Sequence, residues 1–117
     1  MLFLVELDHV KSGGLSTAEQ ASTFIQQIIL PTLSRMEELV AENKIIAGGL
    51  TAGSIAPRFI VAVEAATDID KLLFSIPLWP VAVTKVTPLV SFDERRSRVN
   101  EVLDSLRSLP RKLQSEE

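Results

Sequence analysis

Four titratable side chains stand out because of what surrounds them. Glu6 ends the apolar run Leu2-Phe3-Leu4-Val5, His9 lies just beyond it, Arg58 precedes Phe59-Ile60-Val61, and Lys85 sits within Val83-Thr84-Lys85-Val86. A charge in the middle of an apolar strand must be ion-paired or set in a cavity, because a buried and unpaired charge is strongly destabilising. Glu6 therefore has two readings. In one it pairs with Arg58 or Lys85 across a sheet. In the other it is a carboxylate at the mouth of an apolar pocket, where desolvation raises its proton affinity until it can take a proton near neutral pH. His9, the only histidine, follows Asp8 and is either a general base steadied by a carboxylate or a histidine exposed at a strand end. Arg58 and Lys85 offer the positive charge that steadies an oxyanion once a carbon-bound proton has been removed.

Other chemistries lack their residues. With no cysteine in the chain, disulfides, thiolate metal ligands and a cysteine nucleophile are excluded. One histidine without cysteine makes no transition-metal site, so neither a metal nor another cofactor is expected. There is no phosphate-binding glycine loop and no His-Glu-x-x-His pair. Gly49-Leu50-Thr51-Ala52-Gly53 has the spacing of a nucleophile elbow with Thr for Ser, but it lacks the strand-to-helix setting. Gly48-Gly49 reads instead as a bulge or a place where another backbone comes close.

Composition narrows the partners. The chain has 117 residues, enough for one domain with one core. Its 46% hydrophobic content and mean hydropathy of +0.25 are high beside 23% charged residues, which points to apolar surface buried between subunits. A net charge of −3 gives no electrostatic case for nucleic acid or an anionic membrane. No apolar run reaches the ~20 residues of a membrane span, and Met1 to Val5 is too short for a signal-peptide core. A cytoplasmic protein whose partner is a second copy of itself is expected.

The elements that must position these residues follow from the hydrophobic periods. Leu2 to Asp8 alternates as a strand, with Leu2, Leu4, Glu6 and Asp8 on one face. Ser16-x-x-Glu19 reads as a capping box opening a helix to about Asn43, kinked or broken near Ile28 to Leu30 by Pro31. Ile45 to Leu50 and Phe59 to Ala65 read as strands around a hairpin at Gly53 to Pro57. Thr67-x-x-Asp70 caps a second helix, and Pro77-Leu78-Trp79-Pro80 turns the chain sharply into a last strand, Val81 to Thr87. By strand parity Arg58 and Glu64 share the face of Ile60 and Ala62, and Lys85 that of Val83. Trp79 reads as a core or interface anchor. The order β-α-β-β-α-β predicts an α+β, ferredoxin-like antiparallel sheet with both helices on one face. Ser91-x-x-Glu94 then opens a further helix with Val99, Val102, Leu103, Leu106, Leu109 and Leu113 along one side. The expected division is a domain over 1–90 and an appended amphipathic helix and tail over 91–117.

The runs Leu72-Leu73, Pro77-Leu78-Trp79-Pro80 and Val86-Thr87-Pro88-Leu89, with the opening Met1-Leu2-Phe3, resemble the muconolactone δ-isomerase-like family over Met1 to Leu89. That resemblance implies a dimer in which two sheets face each other as an α/β barrel, and isomerase-type proton transfer. It does not extend to the family's polar site: Leu4 stands where the family has a His, Ala62 where it has an Asp, and Lys85 where it has a Glu. Ile45 to Leu50 replaces a segment rich in Trp, Arg and His. The reading that follows is an enzyme on a small apolar or cyclic substrate, with Glu6 or His9 as base and Arg58 or Lys85 steadying an oxyanion, rather than a muconolactone isomerase in the strict sense. A non-catalytic oligomeric scaffold is the alternative, and an antibiotic-biosynthesis-type monooxygenase on the same barrel a third.

Overall fold

In the computed structural model, residues 1–9 and 17–109 are described. The elements are β1 (Leu2–His9), α1 (Ala18–Phe24), α2 (Leu30–Ala41), β2 (Ile45–Leu50), β3 (Pro57–Ala62), α3 (Thr67–Phe74), β4 (Ala82–Leu89) and α4 (Phe92–Arg107). The four strands form one antiparallel sheet in the order β2-β3-β1-β4. This is the ferredoxin-like topology expected from the element order, with the sheet of the single chain left open. β1 and β3 alternate buried and half-buried residues. Phe3, Val5, Leu7, Phe59 and Val61 form the core with Ile29 and Leu39 and with Ile69, Leu72 and Leu73 of α3. Leu2, Leu4, Glu6 and Asp8 therefore point to the other face, where the first three are half-buried and Asp8 is exposed, and no helix of the described residues packs over them.

The long first helix begins one residue later than its sequence suggests. Thr17 is the cap: Gln20 N–H donates to Thr17 Oγ1, and Thr17 N–H donates to Gln20 Oε1. Ser16 lies outside the described residues. Pro31 acts where expected, and the way it acts is visible. Residues Ile25–Ile29 form a π-turn between α1 and α2, and Leu30 N–H donates to Ile25 O, five residues back. The wider turn accommodates a proline ring that would otherwise press on the preceding turn. At α3 the expected Thr67 cap is absent, and Asp68 instead accepts from Ala65 N–H at 3.2 Å.

The Pro77-Leu78-Trp79-Pro80 corner is held to the helices from inside. Leu78 is fully buried, and its N–H donates to Thr32 Oγ1, the one buried polar side chain of α2, at 3.0 Å. Arg35 Nε donates to Ser75 Oγ at 2.9 Å, a second tie between α2 and the end of α3. Trp79 is half-buried against the core and meets the exposed Phe74 edge-on at 4.6 Å. A 3₁₀ turn over Trp79–Val81 then delivers β4.

β2 carries an irregularity between Ile45 and Ala47, which brings Gly48 opposite Phe59. Gly48 has φ +145, and a Cβ there would lie 2.4 Å from Arg58 O and 2.6 Å from Phe59 Cα. Backbone does approach at this glycine, as the sequence suggested. α4 starts from a Ser91 cap whose Oγ accepts from Glu94 N–H at 3.1 Å. It buries none of its residues.

Candidate functional site

The register of the sheet turns strand parity into a map of the open face. Glu6 of β1 pairs directly with Arg58 of β3 on one side and with Lys85 of β4 on the other. The three form one row across three strands, a carboxylate between two cations. Directly opposed side chains lie ~5 Å apart at Cβ, within reach of long charged groups. One row along, Leu4 stands between Ile60 and Thr87; beyond that, Leu2 stands between Ala62 and Leu89. The face is thus an apolar floor ending in a charged row. On the β2 side it has little relief, because Ala47 pairs with Ile60 and Gly49 with Arg58. A Cβ at Gly49 would meet nothing within 4 Å. Small residues there leave a hollow beside the charges.

Arg58 is the hub of the row. Its Nη2 donates to Asp8 Oδ1 at 2.7 Å, and its Nη1 donates to the carbonyls of Leu7 and Pro57, both at 3.1 Å. Its Nε lies 3.4 Å from Glu6 Oε1. Nearly all of the guanidinium's donors are committed, so Arg58 is fixed in place and has little left for a ligand. Lys85 is the opposite case. It is exposed and makes no ion pair among the described residues, although it stands next to Glu6 in the register.

The two carboxylates also differ. Asp8 takes the short charge-assisted hydrogen bond and is 61% exposed at its side chain, whereas Glu6 is 26% exposed and, among the described residues, has only the 3.4 Å ionic contact. Among the described residues no hydrogen bond occupies the lone pairs of Glu6. The ion pair with Arg58 is the arrangement that the sequence offered as the structural role of Glu6. Glu64 lies beyond the end of β3, in a separate groove with Arg35, Lys44 and Lys71.

His9 is not part of the row. It follows the parity of Phe3, Val5 and Leu7, is half-buried on the helix side, and its ring lies 4.9 Å from that of Phe24 of α1, tilted by 32°. Glu6, Arg58 and Lys85 are brought together; His9 is set on the opposite face. The sequence reading missed the uneven division of Arg58 between Asp8 and Glu6. Asp8 belongs to the same alternating set as Glu6, and that spacing could have found it.

No family model matches the chain, and no curated protein matches it in sequence. Among solved structures, that of a muconolactone isomerase superposes with a TM-score of 0.62 at 20% identity, over 78% of this chain and 90% of that one. A 5-chloro-2-hydroxyhydroquinone dehydrochlorinase from Burkholderia phenoliruptrix AC1100, in complex with 2,5-dihydroxybenzoquinone, superposes with a TM-score of 0.55 at 20% identity, over 80% of this chain and 97% of that one. The open sheet, its strand order and these superpositions together give the chain the muconolactone isomerase-like, ferredoxin-like α+β fold.

Proposed function

We propose that the protein is an enzyme of the isomerase or dehydrochlorinase type that needs no cofactor and moves a proton on a small cyclic, oxygen-bearing substrate laid against the open sheet face. The observation that carries this reading is the Arg58–Glu6–Lys85 row at the end of an apolar floor. Glu6 takes a proton from a carbon next to a carbonyl. The electron pair left behind moves onto the carbonyl oxygen, and Lys85, the cation with no partner among the described residues, stabilises that oxyanion. Collapse of the oxyanion returns the proton to a different carbon in an isomerisation, or expels a chloride from the neighbouring carbon in an elimination. Arg58 positions Glu6 and does not touch substrate. Leu2, Leu4 and Ile60 supply the apolar contact for a ring, and a second copy covering the face excludes water from it.

The two superposed enzymes agree with this reading by name, one an isomerase and the other a dehydrochlorinase. A second reading, an oligomeric scaffold without catalysis, draws on the Glu6–Arg58 contact as a plain cross-strand ion pair. Solvent exchange separates the two. Incubated in D₂O with a panel of unsaturated lactones and hydroxyquinones, the protein is expected to exchange a carbon-bound proton of at least one panel member, lost from its proton NMR spectrum faster than in buffer. A panel in which no member exchanges or binds favours the scaffold.

A further inference from the structure

Among the described residues, two apolar surfaces stand apart from the sheet face. One is α4. Val99, Val102, Leu103, Leu106 and Leu109 are 39–54% exposed, and Phe92 is 95% exposed. The other is a groove of about 420 Å³ on the far edge of the sheet, lined by Leu33, Met36 and Val40 of α2 and by Ile46, Gly48 and Leu50 of β2. Ile46, Leu50 and Val40 are all more than 40% exposed there. A helix carrying such a stripe needs a partner surface, and so does the groove.

The chain does not bring its own two surfaces together. Only Val90 and Ser91 separate β4 from α4, so the helix is rooted at the β4 edge, whereas the groove lies at the β2 edge, three strand spacings or ~14 Å across the sheet. α4 instead extends the molecule, whose dimensions are 72 × 30 × 23 Å. A radius of gyration of 20.9 Å compares with ~13 Å for a compact chain of ~100 residues. The two surfaces match in length. Leu33 to Val40 and Val99 to Leu106 each cover eight helical residues, seven rises or ~10 Å at 1.5 Å per residue. They also match in charge. Glu37 lines the groove and pairs with no cation among the described residues, while Arg95 and Arg96 of α4 have no acidic partner among them.

We propose that α4 docks into the α2–β2 groove of a second copy of this chain, with its Val99–Leu106 stripe on Leu33, Met36 and Val40, and the cationic Arg95 and Arg96 at the end of the groove that carries Glu37. Each copy then offers one helix and receives one. This contact is separate from the face-to-face cover of the sheet and does not depend on the enzyme reading.

Because the natural chain has no cysteine, single cysteines report the contact cleanly. Full-length Val40→Cys and full-length Leu103→Cys are mixed, equilibrated and treated with a short bismaleimide. Both positions are exposed, so neither change disturbs the core. Covalent product joining the two variants is the expected result, and it should be lost when Leu106→Lys is added to the Leu103→Cys chain. Product made only between two Leu103→Cys chains would mean that α4 pairs with α4 and would overturn the proposal. So would rapid intramolecular linkage in a Val40→Cys/Leu103→Cys double variant at high dilution, or the absence of any linked product. A dimer that persists without the mixed product would leave the sheet-face contact standing and refute this one alone.

Discussion

Glu6→Gln is expected to slow proton exchange on whichever substrate the panel identifies by ~10²–10⁴-fold, the usual contribution of a positioned general base. The amide keeps the shape of the side chain and removes its basicity. Folding should hardly notice. Within the single chain the Glu6 and Arg58 side chains are 26% and 33% exposed and their closest approach is 3.4 Å, so before a second copy covers the face the pair belongs with solvated ion pairs worth at most ~1 kcal/mol. Arg58 also keeps its bonds to Asp8 and to the carbonyls of Leu7 and Pro57. Urea unfolding of the variant beside its exchange rate therefore separates a catalytic loss from a structural one. His9→Gln serves as the control, since His9 lies on the opposite face against Phe24 and its replacement should leave exchange intact. Equal losses in the two variants would remove Glu6 from the role given to it.

The largest stability effect is expected at Gly48. Any side chain there places a Cβ 2.4 Å from Arg58 O and 2.6 Å from the Cα of Phe59, both in the neighbouring strand, with φ at +145. Backbone cannot give way as the end of a flexible side chain can, and the dihedral is one that L residues rarely adopt. Gly48→Ala should cost about 3–5 kcal/mol, combining overpacking with backbone strain. At a urea m-value of ~1.5 kcal/mol/M this lowers the midpoint by at least ~2 M. Gly49→Ala, one residue on, meets open space and should change stability by less than ~0.5 kcal/mol. The contrast is the test. If the two alanines behave alike, β2 and β3 are not in the register described.

The charged row was legible because a strand has a period of two. Glu6, Arg58 and Lys85 each sit in an apolar run, and once three strands are placed side by side in antiparallel register, parity alone puts them on one face. What parity does not give is who bonds to whom. Arg58 takes its shortest contact from Asp8, because Nη2 reaches past the Glu6 row to the next one. The break at Pro31 was legible from the missing N–H. Its form as a π-turn was not, since that depends on how Ile29 and Leu39 must both reach the core. Cap positions slipped where two hydroxyl residues adjoin. Ser16 and Thr17 each have a suitable residue three positions on, Glu19 and Gln20, and the spacing alone does not choose between them. β3 starts at Pro57, which looked like loop because it has no N–H, but a proline is tolerated at the first position of a strand. It ends at Ala62, which removes Glu64 from the face where parity would have kept it. The apolar floor was visible in the composition; the hollow at Ala47 and Gly49 needed the register with Ile60 and Arg58.

The account turns on the sheet face being covered by a second copy, since the row can exclude water and hold a ring only inside a closed chamber. Sedimentation equilibrium of the full chain at micromolar concentration tests this most directly. In a chain carrying Leu106→Lys, so that the α4 contact is also opened, a mass of at least twice 12.8 kDa, reduced towards the single-chain value by adding Leu4→Lys on the floor of the face, is the predicted result. A folded, cooperatively unfolding species at the single-chain mass, unchanged by Leu4→Lys, would contradict it.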